Sequence, residues 1–243
     1  CRGCGVRPGC GSVKIFVAGT DTGVGKTTIS VALLSAFRTQ GRSVVAIKPI
    51  ETGCTEVGDQ LHPEDGANLW RAQGGQGMVP PWVCRHRYVR PASPQAAARA
   101  AGVPAPELDI LVQDWQKRSS GVDFALAEGA GGLLVPIDHE RTTCELIRRL
   151  QTPVLVVGRA GLGTINHTLL TVSAARERGL RVLGFVLNGW RDDGELEFAR
   201  ENARDIEMHG SVSCLGLFPW LEDPMAEGGA AAAKWLSAVV QCD

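Results

Sequence analysis

The chain has 243 residues, 44% of them hydrophobic and 21% charged, and a formal net charge of −1. This is the composition of a soluble globular protein with enough chain for a substantial core, and the charge balance excludes a generic polyanion binder such as a nucleic-acid face. No apolar run approaches the roughly 20 residues that span a bilayer, and the N-terminus lacks the apolar core of a signal peptide. The expectation is a cytoplasmic protein with neither membrane nor nucleic acid as a partner.

The chain opens on "CRGCGVRPGC". Cys1 and Cys4 have CxxC spacing and Cys10 follows, but no nearby Cys or His supplies the fourth ligand of a zinc site. Residues 1–11 are therefore expected to be a disordered extension, and residues 12–243 one domain. The five scattered cysteines, Cys54, Cys84, Cys144, Cys214 and Cys242, read as reduced thiols.

From residue 13 the rhythm is short apolar run, glycine-bearing turn, helical pattern. "VKIFVAG" (13–19) reads as a buried strand, and 26–41 has helical periodicity ending at Gly41. "SVVAIKP" (43–49) is a second strand, stopped by Pro49. Helical patterns follow near 64–73, 94–101 and 106–119. "VDFALAEGAGG" (122–132) is a third strand, before a helix near 142–150. Strands at 152–158, 180–188 and 212–219 alternate with helices near 164–179, 195–208 and 230–240. Near-continuously apolar strands alternating with helices predict an α/β fold of P-loop type, its mostly parallel sheet covered by helices on both faces.

In such a sheet the ligand sits beyond the carboxyl ends of the strands. The chemically interesting residues do follow strands: Gly19–Thr28, Lys48–Gly53, Glu128–Gly132 and Asn188. "GTDTGVGKTT" is a phosphate loop with one irregularity, since Thr20 occupies the position where the general pattern has Gly. The free N–H groups and dipole of the following helix favour an anion, and Gly23 and Gly25 permit the backbone to wrap it. Lys26 is placed to reach terminal phosphates and the Thr27 hydroxyl to ligate Mg²⁺. "KPIETG" brings a second lysine, Lys48, as needed where an anionic group is transferred. Glu128, in "EGAGG", and Asp65, at a helix start, are carboxylates suited to a hard cation.

Taken in order, "GTDTGVGKT", "KPIETG", "EGAGGLLVPI" and "GLGTINHTLLT" resemble the dethiobiotin synthetases, over nearly the whole chain from residue 13 to about 225. The family loop itself carries Thr where Thr20 stands. The resemblance implies a homodimeric enzyme that joins 7,8-diaminononanoate and CO2 with ATP and Mg²⁺. One amine captures CO2 as a carbamate, phosphorylation activates it, and the second amine closes the ureido ring. By motif, Lys26, Lys48 and Thr22 would act on the reacting groups, and Thr22, Lys48 and Thr52 would hold the substrate. Gly23, Val24, Gly25, Lys26, Thr27 and Thr28 would wrap the phosphates, with Gly129, Ala130 and Gly131 nearby. Thr27, Asp65 and Glu128 would hold Mg²⁺. Asn188, Gly189, Pro219, Trp220 and Leu221 would lie at the adenine.

Two positions depart from the family form: Gln95 where His is frequent, and Gly189 where Asp is common. His167 is read as a histidine that positions a loop or the dimer rather than as a base. A contrasting reading is a partner-regulated ATPase switch of the septum- or chromosome-positioning type. Such switches carry an extra lysine near the start of the loop, and "GTDTG" has none.

Overall fold

A computed structural model describes residues 12–233. The expected N-terminal extension, Cys242 and the end of the last predicted helix lie outside the described residues. Six parallel strands form the central sheet in the order β10-β9-β8-β1-β7-β2. They are β1 (Val13–Gly19), β2 (Val44–Ile47), β7 (Phe124–Gly132), β8 (Val154–Arg159), β9 (Val182–Trp190) and β10 (Cys214–Pro219).

Alternate side chains of the strands feed two cores. Ile15 and Val17 of β1 face a core with Ile29, Leu33 and Phe37 of α1 (Lys26–Thr39), Leu69 of α2 (Glu64–Ala72) and Ala232 of α8 (Pro224–Ala233). Phe16 and Ala18 face the other core, with Trp115 of α4 (Leu108–Ser119) and Ile147 of α5 (Thr143–Leu150). Val172 of α6 (Thr164–Glu177) and Ile206 of α7 (Asp193–Gly210) complete that layer. Burial on both faces explains why these strands read as continuous apolar runs. The Phe37 and Phe124 rings stack at 4.1 Å, tying α1 to β7.

The register sets the active end of the sheet. Val17 of β1 pairs with Glu128 of β7, and Ile47 of β2 pairs with Ala127. Lys48 therefore emerges level with Glu128, and the loop after β1 begins just beyond it.

The sequence reading missed four short strands. β3 (Ile50–Thr52) pairs in parallel with β6 (His86–Tyr88), and β4 (Thr55–Val57) pairs with β5 (Gln60–His62) as a hairpin. Three residues are too few to show a period of two. Helix α7 begins at Asp193 rather than 195, because the Asp192 side chain caps the Glu195 N–H at 2.9 Å. Helix α8 begins at Pro224 rather than near 230. Asp223 accepts from the N–H groups of Met225 and Ala226, and Pro224 suits a first helical position. Helix α3 (Pro94–Ala100) opens in the same way, with Ser93 accepting from Ala96 N–H.

Candidate active site

The loop between β1 and α1 turns with Gly23 and Gly25 at positive φ, 71° and 93°. Gly25 is the residue before α1 and makes no side-chain cap, so the first N–H groups of α1 are left to face the cleft. A Cβ at Gly25 would lie 2.0 Å from Asn188 Nδ2, so the position needs glycine for space as well as for φ. The Lys26 ammonium donates to the Asp21 carbonyl at 3.1 Å, which folds its side chain back over the loop. Burial, and next the charge of Lys48, lower the Lys26 pKa below the ordinary lysine value.

Glu128 is wholly buried at the end of β7. Its Oε1 accepts from Lys48 Nζ and from Thr27 Oγ1, each at 2.7 Å. Its Oε2 is buried without a partner. Lys48 is 3% exposed and also pairs with Asp65 Oδ2 at 2.6 Å. Burial works against the Lys48 charge, but the carboxylates of Glu128, Asp65 and Glu51 outweigh it and raise its pKa. The Asp65 side chain is 40% exposed. Burial alone would raise its pKa, yet Lys48, the Thr27 hydroxyl and Lys26 together hold it below the ordinary carboxylate value.

Lys26, Thr27, Lys48 and Asp65 open on a cleft of about 630 Å³, and Glu128 lies buried behind Lys48 and Thr27 rather than lining it. Thr22, Gly23, Gly25, Lys26, Thr27 and Thr28 line one side, with Lys48, Thr52 and Asp65 beside them. Ala130, Gly131 and the segment 91–94 close it. Val24 and Gly129 do not line it: the Val24 side chain is buried in the core, and Gly129 packs under the Phe16 ring. Gln95 is half-buried at the start of α3.

The expected base-side residues lie apart from this cleft. Asn188 Nδ2 donates to the Val24 carbonyl at 3.1 Å, clamping the loop from behind, and its Oδ1 is buried without a partner. Gly189 has φ 99°, and Trp220 is exposed, its N–H donating to the Trp190 carbonyl. Pro219 ends β10, and Leu221 packs against the α1 core. His167 is exposed in the first turn of α6.

One residue of the cleft carries no role in the sequence motifs. Glu51, in β3, is 5% exposed and lines the cleft. Burial pushes its carboxyl up to about 7, against the opposing pull of Lys48 and of two backbone N–H donors. The sequence signal was its place between Lys48 and Thr52 in "KPIETG".

The donor set suits Mg²⁺. Among the described residues no group of three or more His, Cys, Asp or Glu could hold a metal alone. Mg²⁺ typically binds one or two carboxylates and fills its other positions with water and substrate phosphates. Glu128 Oε2 is an orphaned buried acceptor, while its Oε1 accepts from the Thr27 hydroxyl and from the Lys48 ammonium that also pairs with Asp65.

A parallel sheet with a glycine loop and an uncapped helix start at its active end defines a P-loop nucleotide-binding protein. A family model described as an AAA domain matches residues 13–227. The chain belongs to the ATP-dependent dethiobiotin synthetase family. It is 40% identical to the enzyme of that name from Anaeromyxobacter dehalogenans strain 2CP-C, over 93% of this chain and 98% of the relative. It is 38% identical to that of Rhodococcus jostii strain RHA1, over 91% and 93%. It is 34% identical to that of Xanthomonas campestris pv. campestris strain B100, over 88% and 93%. Two solved structures share the fold. One is a MinC:MinD cell division complex from Aquifex aeolicus, at TM-score 0.56 and 12% identity, over 95% of this chain and 94% of that one. The other is MinD with Mg-ADP from Pyrococcus horikoshii OT3, at TM-score 0.55 and 16% identity, over 95% of each chain. At such identity the likeness is one of fold alone.

The Asp65 environment has a consequence for acid stability. A carboxyl whose pKa is lowered by folding stabilises the protein above its unfolded value, 3.8, and loses that contribution as pH falls through the folded value. The stability difference between wild type and Asp65→Asn, followed by urea unfolding, should be full near about pH 6 and shrink below about pH 4. A difference that stays constant down to about pH 2.5 would contradict this.

Proposed function

We propose that the chain closes the ureido ring of dethiobiotin from 7,8-diaminononanoate and CO2, consuming ATP. The supporting observation is the buried Glu128, which gathers Lys48 and Thr27 at the foot of a cleft rimmed by the phosphate loop. A carbamate formed from an amine and CO2 is a poor electrophile, because its oxygen leaves badly. ATP, when bound, would supply the phosphoryl group that makes this oxygen a leaving group, and Mg²⁺, which Thr27, Asp65 and Glu128 would hold, would offset the phosphate charge.

The remaining work falls to the protein. An anionic carbamate beside phosphates is repelled unless cations are fixed in place beforehand. Lys26 and Lys48 are those cations. Glu128 and Asp65 keep Lys48 protonated and fix its ammonium, so no reorganisation is needed when charge develops. Thr22 and Thr52, at the cleft wall, offer hydroxyl groups to the carbamate and amines. The N–H groups from Gly23 to Thr28 receive the phosphates. Asn188 commits its Nδ2 to the loop, which leaves Oδ1 as the unpaired acceptor.

The competing switch reading lacks its lysine in residues 19–23 and has only fold-level likeness in its favour. Purified protein given diaminononanoate, bicarbonate, Mg²⁺ and ATP should yield dethiobiotin by mass spectrometry, with ADP release dependent on both diaminononanoate and bicarbonate. Substrate-independent hydrolysis stimulated by a protein partner would sink the enzyme reading. Lys48→Ala should cut product formation by at least ~100-fold while nucleotide still binds. Wild-type turnover in that variant would remove Lys48 from the mechanism.

We assign the cytoplasm as the place of the reaction, consistent with the free thiols of Cys54, Cys84, Cys144 and Cys214. Among the described residues, no helix is long and apolar enough to cross a membrane. The expected homodimer has a candidate surface in Leu134, Leu162 and Leu170, which are 49%, 90% and 61% exposed. Leu134 and Leu170 line a groove that also contains Thr20, Asp21 and Thr22, so a second copy seated there would sit against the loop. Sedimentation should show a dimer for wild type and a shift towards monomer for Leu170→Asp; an unshifted dimer would rule out this surface.

A further inference from the structure

Helix α2 delivers Asp65 to the cleft from its first turn, yet it has no local cap. Its N-cap residue is Pro63, which makes no side-chain cap bond. The regular ladder begins only with Ala67 N–H donating to the Pro63 carbonyl. The N–H groups of Asp65 and Gly66 precede that ladder and need acceptors from elsewhere.

Glu51 supplies both. Its Oε1 accepts from Asp65 N–H at 3.0 Å and its Oε2 from Gly66 N–H at 2.8 Å. The contact is tight: a Cβ at Gly66 would lie 3.4 Å from Glu51 Oε2 and 3.1 Å from Cys84 Cβ. A Ser or Thr at position 63 would cap the helix locally, without burying a carboxylate. The cap comes instead from the strand that follows Lys48 and Pro49. One short segment therefore grips Asp65 twice, by its carboxylate through Lys48 and by its backbone through Glu51.

We propose that Glu51 is a positioning residue, which fixes the first turn of α2 so that the Asp65 carboxylate is held ready for Mg²⁺. The proposal rests on the reading of Asp65 as a metal ligand. Glu51 does not hold the metal; it acts through the backbone that carries the ligand, as residues behind a metal site commonly do.

Two readouts on the full chain test it. In metal-free protein, Glu51→Ala should speed amide hydrogen exchange at residues 65 and 66 by about tenfold or more, with the amides of α1 unchanged. The Mg²⁺ concentration at the midpoint of metal-dependent thermal stabilisation, measured with ADP present, should rise about tenfold. Glu51→Gln keeps one carbonyl acceptor and should fall between wild type and Glu51→Ala on both readouts. It also serves if the alanine variant fails to fold. A folded variant with unchanged exchange at 65 and 66, or with faster exchange but an unmoved midpoint, would overturn the proposal. Asp65→Asn is the control for the reading beneath it. If Asp65→Asn leaves the midpoint unmoved, it is the metal assignment of Asp65 that fails, and exchange at 65 and 66 then decides alone whether Glu51 fixes α2.

Discussion

A carboxylate with no exposure to solvent must find cationic or hydrogen-bonding partners, and Glu128 is that constraint here. Its Oε1 draws in the Lys48 ammonium and the Thr27 hydroxyl. Three segments far apart in sequence must converge for this: the start of α1, the end of β2 and the end of β7. Removing one partner of a buried ion pair typically costs about 3–5 kcal/mol, because the other charge is left uncompensated. The same contacts that let the fold tolerate Glu128 therefore assemble the cleft.

Sheet register makes the convergence possible. With Ile47 level with Ala127, the residue after β2 lies beside Glu128. With Val17 level with Glu128, the chain leaves β1 just above it and returns as α1 with free N–H groups pointing inward. Neither alignment could slip without moving buried side chains out of one of the two cores. The hydrophobic layers thus fix the geometry of the polar site. The site in turn prepares its cations: Lys48 is held protonated between two carboxylates before any anionic ligand arrives.

The six main strands, and the placing of Lys26, Thr27, Lys48 and Glu128 at one end of the sheet, were legible in the sequence, whereas Asp65 showed there only as a carboxylate at a helix start. Those strands are buried on both faces, so their apolar runs are long enough to recognise, and in a parallel sheet the ends of strands are where ligands gather. Strands β3 and β6 were not legible, because three residues carry no periodicity. The role of Glu51 was hidden for a related reason. It caps a helix 14 residues further on, and the usual signals for a helix start look only at residues next to it. The position of Asn188 behind the loop depends on contact across 164 residues, which local pattern does not report.

In the proposed reaction Glu128 organises a cation site that works together with nucleotide. The direct measurement is thermal stabilisation of wild type and Glu128→Gln by ATP, with Mg²⁺ and with a chelator. Wild type should gain a clear further rise in Tm when Mg²⁺ accompanies ATP. A folded Glu128→Gln variant should keep the rise due to ATP with chelator and lose the increment due to Mg²⁺. A variant that retained the full Mg²⁺ increment would rule out that role for Glu128.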